Sequence, residues 1–451
     1  MEYPFKNAPP HAGGATKLAG VNHVPYEASK EEIQLAQQRA RSLVAQGVEF
    51  GDRPIGQVPW LVAMESFVLP REERGKVERL GAATFEFLDA VQALYGEGHP
   101  VVIEHLDSSM PPDLRRLNAA ERVMTFRLDI VLRDGAPKIT EIEEIYGNVG
   151  KMAALEKAYG VDNEPLFRRF AIQDFSHIYV DDTLPQYISE LELLRRRLAE
   201  GYGQDVKIEY FSKFPADQRG TVWRFCKTKD FAQYPAELQR RIVGAECRFV
   251  NPLFHGYGTK AVLALPFHPE LQGEFRRRLG EDTYRAVQEG FTRSRLLEEN
   301  PEPAVVAELT EGYKTSVLKV VDCPHGLDYT WGSRGVFFGD RSASRWRKVV
   351  EAAAAGLFPG DPDCREVRYI VSELVESDRF HVPFLHPGLG VMALMPRARI
   401  RLAPIFFRDE GGARLVAGHA TFVNTSRKIH LGAHAVCAPL AWDRFEGDFL
   451  K

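Results

Sequence analysis

The sequence lacks the features that define several common classes of protein. It has five cysteines among 451 residues, an odd number without a C-x-x-C pair, which argues against a disulfide framework and against a zinc site. No apolar run approaches the roughly 18 residues of a membrane-spanning helix, and the opening residues do not form a secretory leader. We therefore expect a cytoplasmic protein with no membrane partner.

The sequence also lacks an excess of charge of either sign. Its 58 basic and 62 acidic residues give a formal net charge of -4, so no overall field would attract nucleic acid or an anionic membrane. The phosphate-binding motif G-x-x-x-x-G-K-[ST] is absent, since "HGYGTK" does not match it. Any phosphate binding must therefore be local, and the sequence indicates no oligomeric state.

The first third of the chain combines helices with one hairpin. Apolar residues three and four apart predict amphipathic helices over residues 30–47 and 72–95. Residues 125–147 contain two apolar, β-branched runs joined by an Asp-Gly turn, which predicts a β-hairpin. These elements make up a first region, residues 1–165.

The rest of the chain changes pattern twice. Strands alternate with helices over residues 166–284, which predicts a small, mostly parallel α/β unit. Residues 285–451 contain a strand, a loop, a helix and further strands, an α+β order. The predicted fold is thus mixed, with both α+β and α/β parts.

The hairpin carries a concentration of acids. Residues two apart in a strand share a face, so Glu141 and Glu143 point one way and Glu144 the other, where it is structural or solvated. Arg127 and Asp129 share a face of the partner strand. If the two faces coincide, three carboxylates meet beside one guanidinium. Either Mg²⁺ sits between them together with nucleotide phosphates, or Arg127 forms a salt bridge and the other acids face water.

Three further stretches could bind a nucleotide. Lys319 lies on a predicted strand before a loop with glycines at 332 and 335, which could cover phosphates or be a plain tight turn. The run "YIVSELVES" could offer its backbone to an adenine edge and Glu373 or Glu376 to a ribose, or be a buried strand with a polar end. Lys260 opens a predicted helix after a glycine-bearing turn, and could equally be a surface lysine.

Basic residues also gather late in the sequence. Arg399 and Arg401 share a face of one predicted strand, and a polar segment follows the next strand. Such groups could hold a phosphate, an acyl phosphate or a carboxylate, or could be ordinary surface charges on an antiparallel sheet. The polar segment contains Asn424, Arg427, Lys428 and His430.

Together these elements resemble the ATP-grasp carboxylate–amine ligases. In that family an R-x-D strand pairs with an E-x-N strand to bind magnesium, two lysines bind phosphates, and an apolar strand ending in glutamate holds adenine. Here "RLD" and "EIE", Lys260, Lys319 with "WGSRG", and "SELV" match those positions. The metal-binding pair comes first here rather than last, so the arrangement is similar to the circularly permuted, glutathionylspermidine synthetase type. Glu143 stands where the family usually has asparagine, which adds a charge.

The resemblance implies an ATP-grasp fold, circularly permuted, with a small parallel pre-ATP-grasp unit. It implies that residues 1–165 hold a helical region and the permuted metal-binding hairpin. Residues 166–284 would be the pre-ATP-grasp unit. Residues 285–451 would form the nucleotide-binding lid and the C-terminal sheet.

The resemblance also implies ATP and Mg²⁺ as cofactors and a role for each matched residue. Asp129, Glu141 and Glu143 would bind magnesium, and Arg127 and Arg401 would stabilise the transferring phosphoryl group. Expected substrate contacts are Gly147, Asn148, Arg427 and His430. Expected nucleotide contacts are Lys260, Lys319, Gly332, Ser333, Arg334, Gly335, Glu373, Leu374, Val375 and Glu376.

The implied reaction forms an amide bond between a small carboxylate and a small amine, both amino-acid-like. ATP would convert the carboxylate into an acyl phosphate, and the products would include ADP and phosphate. Two alternatives use the same ATP site: a small-molecule kinase, and a nucleotide-binding protein without activity. A polyamine as the amine substrate is also compatible with the resemblance.

Overall fold

The computed structural model describes residues 16–18, 21–48, 60–107, 121–227, 231, 233–323, 335–339, 342–386, 390–410, 412–431 and 434–442. The α-helices in these ranges are α1 (Lys30–Ala45), α2 (Arg71–Gly96), α3 (Pro100–Leu106), α4 (Val149–Tyr159), α5 (Glu164–Ile172), α6 (Ile188–Tyr202), α7 (Ala236–Gly244), α8 (Gln272–Gly290), α9 (Pro303–Glu311) and α10 (Ala343–Ala354). The first two agree with the predicted helices. None of the described helices combines the length and the hydropathy that a membrane-spanning helix needs.

The strands belong to three sheets. Their bounds are β1 (Thr16–Leu18), β2 (Val21–Pro25), β3 (Leu61–Val62), β4 (Phe67–Val68), β5 (Thr125–Arg133), β6 (Ala136–Glu143), β7 (Phe175–Val180), β8 (Lys207–Tyr210), β9 (Arg219–Phe225), β10 (Glu246–Val250), β11 (Ser294–Leu297), β12 (Ser316–Asp322), β13 (Val336–Phe338), β14 (Arg368–Glu373), β15 (Arg379–Leu385), β16 (Met392–Asp409), β17 (Gly412–Val423) and β18 (Val436–Ala441). The mixed α/β fold class is therefore confirmed.

The large sheet takes strands from both ends of the chain. Its path runs β1-β2-β16-β17-β18-β3, and β15 and β5 also pair with the long strand β16. The hairpin strand β6 pairs with β5, so the predicted acids stand on this sheet. Helices α2 and α8 pack on one of its faces through a core that includes Phe87, Phe126 and Phe291. The hairpin therefore rests on a rigid, buried support.

The turn of the hairpin follows from its sequence. Asp134 and Gly135 have φ angles of 53° and 74°, both in the left-handed region that aspartate and glycine tolerate best. Both amides donate to the carboxylate of Asp378, which holds the turn against the large sheet. The Asp-Gly pair thus fixes the hairpin where the sequence places it.

Two smaller sheets flank the large one. The first has the order β10-β9-β7-β8 and is parallel throughout, as the alternation of strands and helices indicates. The second has the order β11-β14-β12-β13 and is antiparallel. Lys319 lies in the centre of β12, and Glu373 ends β14.

The prediction that Lys260 opens an α-helix was wrong, because a 3₁₀ turn begins there instead. Lys260–Leu263 forms a short 3₁₀ turn, followed by two more 3₁₀ turns before α8 begins. Pro266 and Pro269 lack amide hydrogens and crowd the preceding turn, so a continuous α-helix cannot run through this segment. The Thr259 hydroxyl accepts from the amide of Ala261 and caps the first turn.

Candidate active site

The hairpin brings the predicted acids together. Arg127 lies opposite Glu143, and Asp129 lies opposite Glu141, in the register of β5 and β6. Each of the three acids offers one carboxylate oxygen within 4.8 Å of the others. The two predicted faces therefore coincide, because the pairing register matches the alternation of the strands.

Each of the three acids is paired with a cation of the chain. Arg127 contacts both Glu143 and Asp129, at Nη2–Oε2 and Nη2–Oδ1 distances of 2.6 and 3.1 Å. Arg401 Nη1 donates to Asp129 Oδ2 at 2.7 Å, and Lys260 Nζ lies 2.8 Å from Glu141 Oε1. The alternative in which the remaining acids simply face water is therefore wrong.

The electrostatics of these pairs are strong. Burial opposes charge on Glu141, but the lysines around it, Lys260 above all, lower its pKa to about 2. Burial raises the pKa of Glu143 in spite of the adjacent Arg127. Burial also opposes charge on Arg127, yet Asp129 and Glu143 together raise its pKa. The hairpin end is thus a compact set of opposite charges in a poorly solvated place.

Lys319 reaches the same end of the hairpin from another sheet. Its Nζ donates to the carbonyl oxygen of Thr140 at 2.7 Å, next to Glu141 in the chain. Lys319 and Lys260 are only 7% and 8% exposed, so neither is an ordinary surface lysine. Burial lowers the pKa of Lys319 to about 8. Two lysines from distant segments therefore converge on the three acids.

Only the last residue of the predicted glycine loop, Gly335, lies within the described residues. Gly332, Ser333 and Arg334 lie outside the described residues. Gly335 is described, and its carbonyl oxygen accepts from the amide of Val320 on the strand that carries Lys319. The loop thus ends next to that strand.

The predicted adenine segment follows β14. The amide of Glu373 donates to the carbonyl of Arg293, and the amide of Leu374 donates to the carbonyl of Thr315. The Glu373 carboxylate accepts from the amide of Arg293 at 3.0 Å. These bonds hold the segment against β11 and the start of β12. They occupy the amides of Glu373 and Leu374, two of the backbone groups that could otherwise bind an adenine. Val375 is partly buried in the same segment.

Glu376 has different neighbours from those expected of a ribose ligand. Its carboxylate lies 3.4 to 3.9 Å from the guanidinium groups of Arg379, Arg399 and Arg427. The structure therefore places the predicted substrate ligand Arg427 beside the predicted ribose ligand. His430, three positions after Arg427 in the chain, is exposed, and partial desolvation of its ring together with Arg401 lowers its pKa.

The turn after the hairpin contacts the acidic site through its backbone. The Gly147 carbonyl accepts from Arg127 Nη1 at 3.3 Å. Asn148 has a φ of 79°, its amide donates to Glu190 at 2.5 Å, and its side-chain oxygen accepts from Lys151 at 2.5 Å. The turn is held from both sides at the start of α4.

Sequence reasoning missed several buried polar residues around this site. His419 and Thr421 on β17 are 1% and 0% exposed, and within the described ranges neither His419 nitrogen nor the Thr421 hydroxyl has a hydrogen-bond partner. Burial, together with Arg127 and Arg401, holds the pKa of His419 well below its ordinary value. A single histidine in an apolar strand gives no sequence signal, because only the tertiary contacts reveal its charged neighbours.

Sequence reasoning also missed a buried network of polar residues around Glu144, which has a structural role. Arg224 on β9 donates to Glu144 at 2.7 Å, and their side chains are 0% and 1% exposed. The Asn251 side chain joins the same network by donating to the carbonyls of Thr125 and Glu144. Glu144 is therefore structural, which is one of the two roles its strand position allowed. Alternation along β6 separates it from the acids of the site.

The donor set fits a hard divalent cation. Three carboxylates within 4.8 Å offer only oxygen, which Mg²⁺ prefers. Three cations, on Arg127, Arg401 and Lys260, already balance the three acids. A triphosphate would bring its own negative charge, so that added Mg²⁺ and the lysines could share phosphate and carboxylate oxygens.

Comparisons with known proteins bear on the fold. No protein-family model matches the chain, and no curated protein sequence matches it. The structure is similar to that of a glutathione synthetase-like effector from Globodera pallida in its apo form. The TM-score is 0.53 at 12% identity, over 92% of this chain and 98% of the effector. At this identity the likeness shows the fold alone.

A second solved structure has a weaker similarity. It is a putative gamma-glutamylcysteine synthetase from Methylobacillus flagellatus KT, with a TM-score of 0.39 and 12% identity. The comparison covers 81% of this chain and 87% of that one. An overlap of this quality carries no argument about fold or activity.

Proposed function

We propose that the protein is an ATP-dependent carboxylate–amine ligase of the ATP-grasp type, in the circularly permuted arrangement. One observation carries the proposal: Lys260, Lys319 and Arg401 come from three separate segments and meet at the acids of one hairpin. Carboxylates offer Mg²⁺ the oxygen ligands that it prefers, and convergent cations neutralise the charge of a triphosphate. The fold shared with a glutathione synthetase-like effector is compatible with this proposal.

In the first step, a carboxylate oxygen of the acid substrate attacks the γ-phosphorus of ATP, and the bond to ADP breaks. Lys260 and Lys319 would hold the α- and β-phosphates, and Arg127 and Arg401 would neutralise charge on the transferring group. Mg²⁺, held by Asp129 and the two hairpin glutamates, would supply further neutralisation when bound.

In the second step, the nitrogen of the amine attacks the acyl carbon, and phosphate leaves. The neutral amine loses one proton, which the departing phosphate takes up, so the products of the two steps are the amide, ADP and hydrogen phosphate. Arg401 and Arg427 would hold the departing phosphate or the acid, with Asn148 and His430 at the edge of the substrate site. No protein nucleophile is needed.

The remaining predicted residues would hold the nucleotide. Because the amides of Glu373 and Leu374 bond within the protein, adenine contacts would fall to the Glu373 carbonyl and the Val375 amide. The segment from Gly332 to Gly335 would cover the β- and γ-phosphates. The substrates we propose are small amino-acid-like carboxylates and amines.

Trapping with hydroxylamine tests the proposal. The protein is incubated with ATP, Mg²⁺ and each of a panel of amino acids, and ADP and hydroxamate are measured with and without hydroxylamine. A hydroxamate that depends on one acid is the expected result, because an acyl phosphate reacts with hydroxylamine. ADP formed with a phosphorylated product and no hydroxamate would identify a kinase instead. No ADP with any acid or amine would leave a nucleotide-binding protein without activity.

A further inference from the structure

The face of the large sheet that carries the hairpin acids continues onto β17. Arg401 and Ala403 share a face of β16, and in the register of β16 and β17 they lie opposite Thr421 and His419. Residues opposite each other in an antiparallel pair share a face of the sheet. His419 and Thr421 therefore point to the same side as Arg401, which contacts Asp129 of the hairpin.

The hairpin acids are close to His419 on this face. On the other side of β16 from β17 runs β5, and Ile405 lies opposite Arg127 there. The next pair on the same face, two residues along each strand, is Asp129 with Ala403. Neighbouring strands are about 4.8 Å apart, so His419 lies two strands, or about 10 Å, from Asp129. The residue between them is Ala403, whose side chain is only a methyl group.

These residues carry a concentration of buried polar atoms without partners. Within the described ranges, neither ring nitrogen of His419 has a hydrogen-bond partner, and the same is true of the Thr421 hydroxyl and of Arg401 Nε. An unsatisfied buried polar group costs free energy, so native proteins have only a few of them. Four such atoms on three neighbouring residues therefore favour a place that a ligand completes.

The polar face is more open at the hairpin than on β17. The side chains of Glu141 and Glu143 are 19% and 18% exposed, whereas His419 and Thr421 are buried. A ligand bound at the acids would thus reach these two residues with an inner group that has left water. Hydrogen bonds to such a group decide specificity, because the polar atoms of the site stay unpaired when the group is missing.

The chemistry of His419 selects the kind of group. Burial lowers its pKa well below the ordinary value, and Arg127, Arg401 and Lys151 lower it further, so the ring is neutral. A neutral imidazole has one N–H donor and one nitrogen that only accepts. A carboxylate or phosphate has no hydrogen for the accepting nitrogen, and the three cations repel an ammonium group. A neutral hydroxyl or carboxamide both donates and accepts, so it fits.

We infer that His419 and Thr421, together with Arg401 Nε, form a specificity subsite for a neutral hydroxyl or carboxamide group of the acid substrate. This inner group would donate to the accepting nitrogen of His419 and accept from Thr421 or Arg401. The assignment to the acid substrate rests on the proposed function, in which Arg401 stands beside the transferring phosphoryl group. The pattern of donors and acceptors on the sheet does not depend on it.

Four variants of the full chain test the subsite. Thr421→Val replaces the hydroxyl by a methyl group of similar size, and Thr421→Ser restores a hydroxyl. His419→Phe keeps a ring but removes both nitrogens. The matched control is Thr125→Val, because Thr125 is also buried on the large sheet but has partners. Its hydroxyl donates to the Phe406 carbonyl at 2.8 Å and contacts the Tyr146 hydroxyl.

Urea denaturation separates a binding role from a structural one. Thr125→Val should lower the urea midpoint, because it deprives the buried Tyr146 hydroxyl of its partner. Thr421→Val should leave the midpoint unchanged or raise it, because it removes a buried hydroxyl that has no partner in the described part of the chain. A loss in Thr421→Val equal to that in Thr125→Val would make the Thr421 hydroxyl structural and overturn the subsite.

Isothermal titration with amino acids of matched shape measures the selectivity. Threonine is compared with valine, and asparagine with leucine and aspartate, with Mg²⁺ and a non-hydrolysable ATP analogue and again without nucleotide. We expect the parent to bind threonine or asparagine about tenfold more tightly than its apolar match, as for one or two hydrogen bonds. The threonine pair reports a hydroxyl, and the asparagine set a carboxamide. Thr421→Val and His419→Phe should remove the preference, and Thr421→Ser and Thr125→Val should keep it.

Three results would overturn the subsite. The first is no binding of any of these amino acids, and the second is no preference for the neutral polar member or tightest binding of aspartate. The third is a preference that persists in Thr421→Val, which would leave the four atoms to ordered water only. None of the titrations needs turnover. A failed hydroxamate assay with the expected selectivity would count against the ligase and keep the subsite, whereas hydroxamate formation with unaltered selectivity in Thr421→Val would do the reverse.

Discussion

Lys260 Nζ lies 2.8 Å from Glu141 Oε1, although 119 positions separate the two residues in the chain (260 − 141). Lys260 comes from a 3₁₀ turn after the parallel sheet, and Glu141 from the hairpin of the large sheet. In the proposed function, Lys260 binds a phosphate of the nucleotide and Glu141 binds magnesium. Binding of a magnesium nucleotide would exchange this contact for contacts to the ligand.

Substitution of Glu141 should separate metal binding from folding. Glu141→Gln keeps the shape and an acceptor for Lys260 but removes a ligand charge, so we expect Mn²⁺ affinity and ADP release to be lost. Glu143→Asn should retain both, because the proposed ATP-grasp pattern has asparagine at this position, so an uncharged oxygen ligand is sufficient there, whereas position 141 has a charged one. Titration of Mn²⁺ followed by electron paramagnetic resonance gives the affinities, and a thermal melt checks the fold.

Asp134→Asn is the control for the metal variants. It changes an acid at the turn of the same hairpin, and asparagine tolerates the φ of 53° found there. Mn²⁺ binding and turnover should match the parent. Unchanged turnover in Glu141→Gln would remove Glu141 from the metal site.

The affinity for ATP should fall as pH rises through about 8. Burial lowers the pKa of Lys319 to about 8 in the folded protein from an ordinary 10.5, so its charge is lost in this range. An uncharged lysine no longer attracts phosphate, and affinity should fall by up to about tenfold per pH unit. Fluorescence titration with an ATP analogue from pH 6.5 to about 9.5 measures it.

The same shift has the opposite sign for stability. Between about pH 8 and 10.5 the unfolded chain holds a proton on Lys319 that the folded chain lacks, so this group should raise the free energy of unfolding as pH rises. Lys319→Arg stays charged, so both pH effects should disappear in that variant. Persistence of the ATP inflection in Lys319→Arg would assign it to another group.

Removal of Glu144 should destabilise the fold. Glu144→Ala leaves the Arg224 guanidinium buried without its carboxylate, at a cost of roughly 3–5 kcal/mol in the free energy of unfolding. Urea denaturation gives the value. The matched control is Glu246→Ala, because that glutamate is 81% exposed and lies 3.8 Å from Arg219, so no measurable change is expected. Equal effects of the two variants would contradict a structural role for Glu144.

Mild oxidation should join Cys323 and Cys364. Their sulfur atoms are 3.0 Å apart in the core next to β12 and β14. Hydrogen peroxide would take two electrons and two protons from the thiols, giving one disulfide and two water molecules. Burial raises the pKa of Cys364 to about 12, so the reaction should be slow at pH 7 and faster at higher pH.

Peptide mapping by mass spectrometry under non-reducing conditions identifies the cross-link. Cys364→Ser should abolish it, and Cys437→Ser should not, because Cys437 is a buried thiol elsewhere, on β18. A cross-link that survives in Cys364→Ser, or one between other cysteines, would contradict the prediction. The scattered cysteines gave no hint of this contact, since 41 positions separate the two.

The local elements could be predicted because short-range physics sets them. The Asp-Gly turn fixes the hairpin, period-2 alternation puts Glu141 and Glu143 on one face, and helical spacing gives α1 and α2. The same alternation separates Glu144 from the site. The helix expected at Lys260 failed because prolines a few residues away override its apolar pattern.

Short-range patterns thus suffice to predict the hairpin, its shared acidic face and the alternation of strands and helices that gives the parallel sheet. The folded chain was needed to identify the cations that meet those acids, the arginines around Glu376 and the burial of His419 beside the site. Backbone geometry acts over a few residues, so sequence spacing reports it. Arg401 contacts Asp129 although 272 positions separate the two residues in the chain. Such a contact depends on which distant strands pair in the sheet, and the spacing of residues within a short segment does not report it.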